Sequence, residues 1–179
     1  MNKLSPEDIS RIGEVADGLI LSGERYVGRE KDLVQVFAEM YQCGHYDEEI
    51  PMTDACTIVY EQSFKYGRSD IVIYHSDGSA SVIEAKNGST GYTHTISGIG
   101  QSTLYATQLA ATKGAVKKVR RCLLWTGTGD DLLDAFIAIS CKEAGVISLA
   151  MPPMNTLMAT KAASRIVVEE VLSGCKEEG

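Results

Sequence analysis

Apolar positions recur along this chain with two different periods, and the changes of period divide it into elements. Helical spacing comes first: Ile9, Ile12, Ala16, Leu19 and Ile20 share a face behind Ser5-Pro6-Glu7-Asp8, a serine cap followed by proline and acids. Gly23 closes that helix. A second helix is predicted from Gly28 to Cys43, stopped by Gly44, with Val34, Phe37 and Tyr41 on one face. After a polar, acid-rich loop from His45 to Asp54 the period drops to two. Ala55 to Gln62 predicts a first strand, and Phe64 to Arg68 connects it to two more β-rich runs, Ser69 to His75 and Ser79 to Lys86. Asn87 to Gly100, rich in glycine, serine and threonine, predicts a mobile loop. Then follow a helix from Ile99 to Thr112, a strand from Val119 to Thr126 and a helix from Asp130 to Glu143. A strand from Val146 to Met151, stopped by Pro152-Pro153, and a helix from Thr156 to Leu172 end the chain. This order predicts an α/β fold with a mixed central sheet of about five strands, helices on both faces and an opening meander. Its length, 179 residues, suits one domain: an N-terminal helix over 1–27, a core over 28–126 and a helix-strand-helix extension over 127–179.

The two runs around Ser76-Asp77-Gly78 read as a β-hairpin, and loop length decides its register. A two-residue loop at Asp77-Gly78 sets Asp70 opposite Ala85. A three-residue loop, with Gly78 left-handed, sets Asp70 opposite Glu84 and pairs Ile71 with Ile83 and Val72 with Val82. Apolar pairing selects the second. Glu84 and Lys86 share a face, because strand side chains alternate. Two facing carboxylates repel, and a divalent cation relieves them; Mg²⁺ needs only one or two protein carboxylates. Lys86 adds positive charge for a transition-state oxyanion, or helps deprotonate a water. The same residues also fit an ordinary hairpin with a surface Glu84–Lys86 salt bridge. Upstream, Glu30 lies one turn before Val34 on the apolar face of its helix, where a carboxylate needs a partner.

Asp70 on one strand and Glu84-Ala85-Lys86 on the next resemble the PD-(D/E)xK nuclease superfamily, with Ser69 at the position of the name's proline. Gln101-x-x-x-Tyr105 after the hairpin and Glu30 before it fit the RecB-like branch, over about residues 28–126. The resemblance implies a restriction-endonuclease-like core and a metal-dependent nuclease that hydrolyses DNA phosphodiester bonds. It favours an endonuclease of the phage or mobile-element type. Asp70, Glu84, the Ala85 carbonyl and Glu30 would hold Mg²⁺ or Mn²⁺. Lys86 would stabilise developing charge, and Gln101 and Tyr105 would orient the phosphate or the lysine. The alternative is a non-catalytic module of the same fold that binds nucleic acid or protein. The five cysteines are dispersed, without the C-terminal group of three that an iron–sulfur cluster in this branch requires.

Composition narrows the partners. A net charge of −7 argues against a broad, unspecific nucleic-acid coat. The candidate phosphate contacts are the basic run Lys113, Lys117, Lys118, Arg120 and Arg121, which equally suits a solvated connection, and Arg68, which could instead pair with Glu61. His94, in the glycine-rich stretch, reads as a solvated loop histidine. No apolar run reaches the roughly 20 residues of a membrane span, and no signal-peptide core opens the chain. Scattered cysteines indicate neither a disulfide framework nor a zinc knuckle, which suits a reduced, cytoplasmic setting. Cutting both strands of a duplex at once needs two active sites, so a homodimer is expected.

Overall fold

The computed structural model describes residues 5–51, 56–112, 114 and 116–174. The chain divides into two compact units, Arg29–Met151 and the two terminal segments Met1–Gly28 and Pro152–Gly179.

In the terminal unit, α1 (Pro6–Leu21) packs against α5 (Met154–Gly174). Ser5 caps α1 as expected: its Oγ accepts from Asp8 N, and Asp8 returns a carboxylate to Ser5 N. Arg11 pairs with Glu170 across the two helices at 2.6 Å.

The larger unit holds the sheet. Among the described residues five strands pair in the order β1 (Thr57–Phe64), β2 (Gly67–Tyr74), β3 (Ser79–Lys86), β4 (Lys118–Thr126) and β5 (Ile147–Met151). The first three run antiparallel as a meander, and β3, β4 and β5 run parallel. The sheet is therefore mixed and open, as expected. Parallel neighbours need crossover helices: α3 (Tyr92–Ala111) joins β3 to β4, and α4 (Asp131–Glu143) joins β4 to β5. Both lie on one face, where Val72, Ala80 and Val82 meet Tyr105, Ala106 and Leu109. Leu123 and Trp125 there meet Ile137, Cys141 and Val146. On the other face lies α2 (Glu30–Gln42), joined to the strands through a polar chain from Tyr41 Oη to Cys56 Sγ, His75 Nδ1 and, through Nε2, Ser81 Oγ.

The hairpin register is the expected one, Ile71 opposite Ile83 and Val72 opposite Val82. His75 N–H donates to Ser79 O at 2.9 Å around the three-residue loop, and Gly78 takes φ +80°. Two expectations change. Phe64 to Arg68 is not a loose connector: β1 runs through Phe64, turns at Lys65-Tyr66 and pairs Phe64 with Gly67, making a second hairpin. The start of the predicted first strand at Ala55 lies outside the described residues. The stretch from Asn87 to Gly100 is not a mobile loop either. A 3₁₀ turn (Gly88–Thr90) leads straight into α3, which begins at Tyr92 rather than Ile99. The glycines there serve close packing. A β-carbon on Gly88 would collide with the Thr126 carbonyl, and one on Gly98 would strike Leu123 Cδ1 and lie 2.9 Å from Lys86 Cγ. No helix among the described residues is long and apolar enough to cross a membrane.

Candidate active site

At the carboxyl end of β3 the sheet changes from antiparallel to parallel. The β2–β3 ladder ends there on side chains. Asp70 Oδ2 accepts the Ala85 N–H at 2.7 Å. Ser69, buried at the position of the motif's proline, donates its hydroxyl to the carbonyls of Ile71 and Ile83.

Glu84 and Lys86 project from the same face of β3 toward α3. Lys86 Nζ donates to Glu84 Oε1 at 2.8 Å, and the two residues are only 5% and 4% exposed, lysine first. The salt bridge is thus buried, which removes the reading of a surface pair on an ordinary hairpin. Burying both charges carries a desolvation penalty that their attraction offsets only with good geometry and further hydrogen bonds. Here one bond is missing. Glu84 Oε2 is buried with no hydrogen-bond partner among the described residues. Burial first, and then the Asp70 charge, push the Glu84 carboxyl up to about 7 against the opposing pull of Lys86. Burial also raises the Asp70 carboxyl, opposed by the Ala85 N–H and Lys86 and reinforced by Glu30.

Glu30, the first residue of α2, comes to the same end of the sheet. It finds its partners across the fold: Oε1 accepts from Asn87 N at 3.3 Å and from His94 Nε2 at 2.7 Å. Glu30 and Asp70 line one cleft of about 420 Å³ with Lys31, Tyr60, Glu61 and Arg68. Glu61 stands there with φ +52°, a left-handed conformation unusual inside a strand. Arg68 pairs with it at 3.3 Å, both side chains exposed.

The remaining expected residues separate into two groups. Gln101 sits one turn after Gly98, the residue that packs on Lys86, and its Oε1 is buried without a partner. Tyr105 belongs to the apolar core. Its ring stacks on Phe64 with centroids 5.9 Å apart, and its hydroxyl makes no hydrogen bond among the described residues. The basic run lies at the other end of β3. Lys118 pairs with Ser79 while Lys86 pairs with Trp125, a separation of roughly 23 Å along the strand. The Lys117 stem lies on Gly78, Arg120 donates to Ser79 Oγ at 2.7 Å and Arg121 to Gly145 O at 3.1 Å. Lys113 lies outside the described residues.

His94 belongs to the site although its local composition conceals it. Its spacing to Gly98, Gln101 and Tyr105 follows a helix face, a signal hidden by the loop-like residues around it.

Among the described residues, no group of three or more His, Cys, Asp or Glu side chains is drawn together as a ready metal cage. The donor set still fits a hard cation. Glu84, raised by burial and by the Asp70 charge and with one buried oxygen unpartnered among the described residues, and Asp70, raised by burial and by Glu30, would be relieved by a divalent ion that asks for few protein ligands. Compared with protein-family models, with curated proteins and with solved structures, the chain matches none.

Proposed function

We propose that this chain is a metal-dependent deoxyribonuclease of the PD-(D/E)xK type with a restriction-endonuclease-like core, acting as an endonuclease in the cytoplasm. The observation that carries this reading is Glu84: its Oε1 is bonded by the Lys86 ammonium, its Oε2 is buried without a partner among the described residues, and the Asp70 charge acts on it. A buried Glu84–Lys86 pair beside the cleft-lining Asp70 needs a reason, and phosphodiester hydrolysis supplies one. Asp70, Glu84, the Ala85 carbonyl and Glu30 would hold Mg²⁺ or Mn²⁺. Bound there, the ion supplies Lewis acidity toward the phosphate and eases the ionisation of water.

The chain's own residues do the rest. Asp70 is pinned through the Ala85 N–H, so its second oxygen keeps a set direction. His94 holds Glu30 across the gap between α2 and α3. Water gives up a proton to solvent as its oxygen bonds to phosphorus, the bond to the departing sugar oxygen breaks, and that oxygen takes a proton from solvent, leaving a phosphate monoester and a sugar hydroxyl. Lys86, buried beside Glu84, keeps positive charge where negative charge grows on the phosphate. Gln101, with its free amide oxygen one turn from the Lys86 contact, would orient the lysine. A homodimer would bring two such sites to the two strands of a duplex.

The test is incubation with supercoiled, linear, branched and single-stranded DNA. Cleavage should need Mg²⁺ or Mn²⁺, stop with EDTA, and fail in Ca²⁺, whose looser geometry supports binding with little turnover. Robust cutting in EDTA overturns the proposal. So does calorimetry that finds no divalent-ion binding.

A further inference from the structure

Next to α3, on the face of the sheet that carries Val72 and Val82, runs a groove of about 500 Å³. Its walls are aromatic, from Phe64, Tyr66 and Tyr74, with Gln62, Lys65 and Gln108 at the polar positions. No carboxylate lines it, in contrast to the cleft beside Asp70. Tyr66 is 62% exposed at the β1–β2 turn, with Lys65 Nζ 5.0 Å from its ring centroid. Phe64 is backed by Tyr105, stacked at an interplanar angle of 9°. Gln108 is fixed through Oε1, which accepts the Tyr66 N–H at 2.9 Å, while its Nε2 is buried with no partner among the described residues.

Each feature has one chemical complement. The exposed Tyr66 ring, with Lys65 over one face, takes a flat π system on the other, an orphaned amide N–H needs a carbonyl or ring-nitrogen acceptor, and a lysine in an acid-free wall takes a phosphate. We propose that this groove binds one unpaired nucleobase of a DNA strand, with the adjoining phosphate on Lys65. A base still paired and stacked in a duplex has both faces covered and its pairing edge used, so it does not fit. Resting on the nuclease reading, the groove also sets the substrate class. Gly67, beside Tyr66, begins β2 roughly 10 Å along the strand from Asp70, so DNA with a frayed or single-stranded segment reaches the acids from here.

The test is fluorescence anisotropy of a short labelled single-stranded oligonucleotide in EDTA, where no cutting intervenes. Tyr66→Ala should weaken binding about tenfold, the effect of losing one base–aromatic stack. Tyr66→Trp should retain it, Gln108→Leu should weaken it several-fold, and blunt duplex should compete poorly. Tyr66 is largely exposed, so its variants keep the fold, which thermal melts verify. Wild-type affinity in both Tyr66→Ala and Gln108→Leu overturns the inference, as does equal competition by duplex. A chain that binds single strands through Tyr66 but never cuts with Mg²⁺ or Mn²⁺ loses the nuclease reading and keeps the groove. One that cuts but ignores Tyr66→Ala loses the groove alone.

Discussion

Lys86 is a buried lysine in a demanding environment. Its ammonium is buried 2.8 Å from Glu84, and Gly98 of α3 packs against its stem. Deleting one partner of a buried pair leaves an unpaired charge, so a truncation confuses packing with chemistry. Lys86→Met keeps the aliphatic stem and removes only the charge. A group that acts mainly on the transition state should lower turnover and spare ground-state affinity. Lys86→Met and Lys86→Ala should therefore bind DNA in Ca²⁺ within a few-fold of wild type, yet cut about 10²–10³ more slowly in Mg²⁺. Wild-type cutting rates in both would reduce Lys86 to a structural partner of Glu84. The Asp70, Glu84 and Lys86 cluster was legible because strand period and one turn glycine determine which side chains meet. The 2.7 Å contact of His94 with Glu30 was not, since it joins residues far apart in sequence on elements whose approach no local pattern encodes.

Among the elements, α3 is where composition misleads. Glycine, serine and threonine normally signal a loop, because glycine costs about 1 kcal/mol relative to alanine inside a helix. In α3 two glycines only two residues apart have opposite surroundings. A β-carbon at Gly100 meets nothing within 4 Å, whereas one at Gly98 strikes Leu123 Cδ1 and crowds Lys86 Cγ. Gly100→Ala should raise stability by roughly 0.5–1 kcal/mol through helix propensity alone. Gly98→Ala should lose roughly 1–3 kcal/mol to overpacking despite the same helical gain, and should disturb Lys86. Urea midpoints of the two variants check the signs. Equal stabilisation would mean that the close approach of α3 to Lys86 is not required by the fold. The strands were easier to read, since period two and β-branched runs locate β2 to β5 within a few residues. Which sheet faces the helices cover depended on tertiary contacts.

At the scale of the whole molecule, Glu84 and Lys86 stand at the carboxyl end of β3 and the basic run lies beside its amino end. The structure also divides that run. Arg120 and Arg121 are tied to Ser79 and Gly145, while Lys117 and Lys118 are exposed. A duplex that reaches from Glu84 and Lys86 to those lysines would span roughly 23 Å along β3, or about seven base pairs at 3.4 Å each. The probe is therefore a duplex longer than that, carrying a single-stranded tail. On a chain with net charge −7, each neutralised phosphate should be visible in the salt dependence of binding. Replacing Lys117 and Lys118 together by glutamine should flatten log affinity against log salt by about 0.9 for each phosphate that is no longer neutralised. Arg120→Gln and Arg121→Gln should leave the slope alone and lower the melting temperature, because their guanidinium groups brace the sheet. An unchanged slope in the lysine double variant would assign the run to the solvated surface, and would leave Lys31, Lys65 and Arg68 as the cations that meet the DNA.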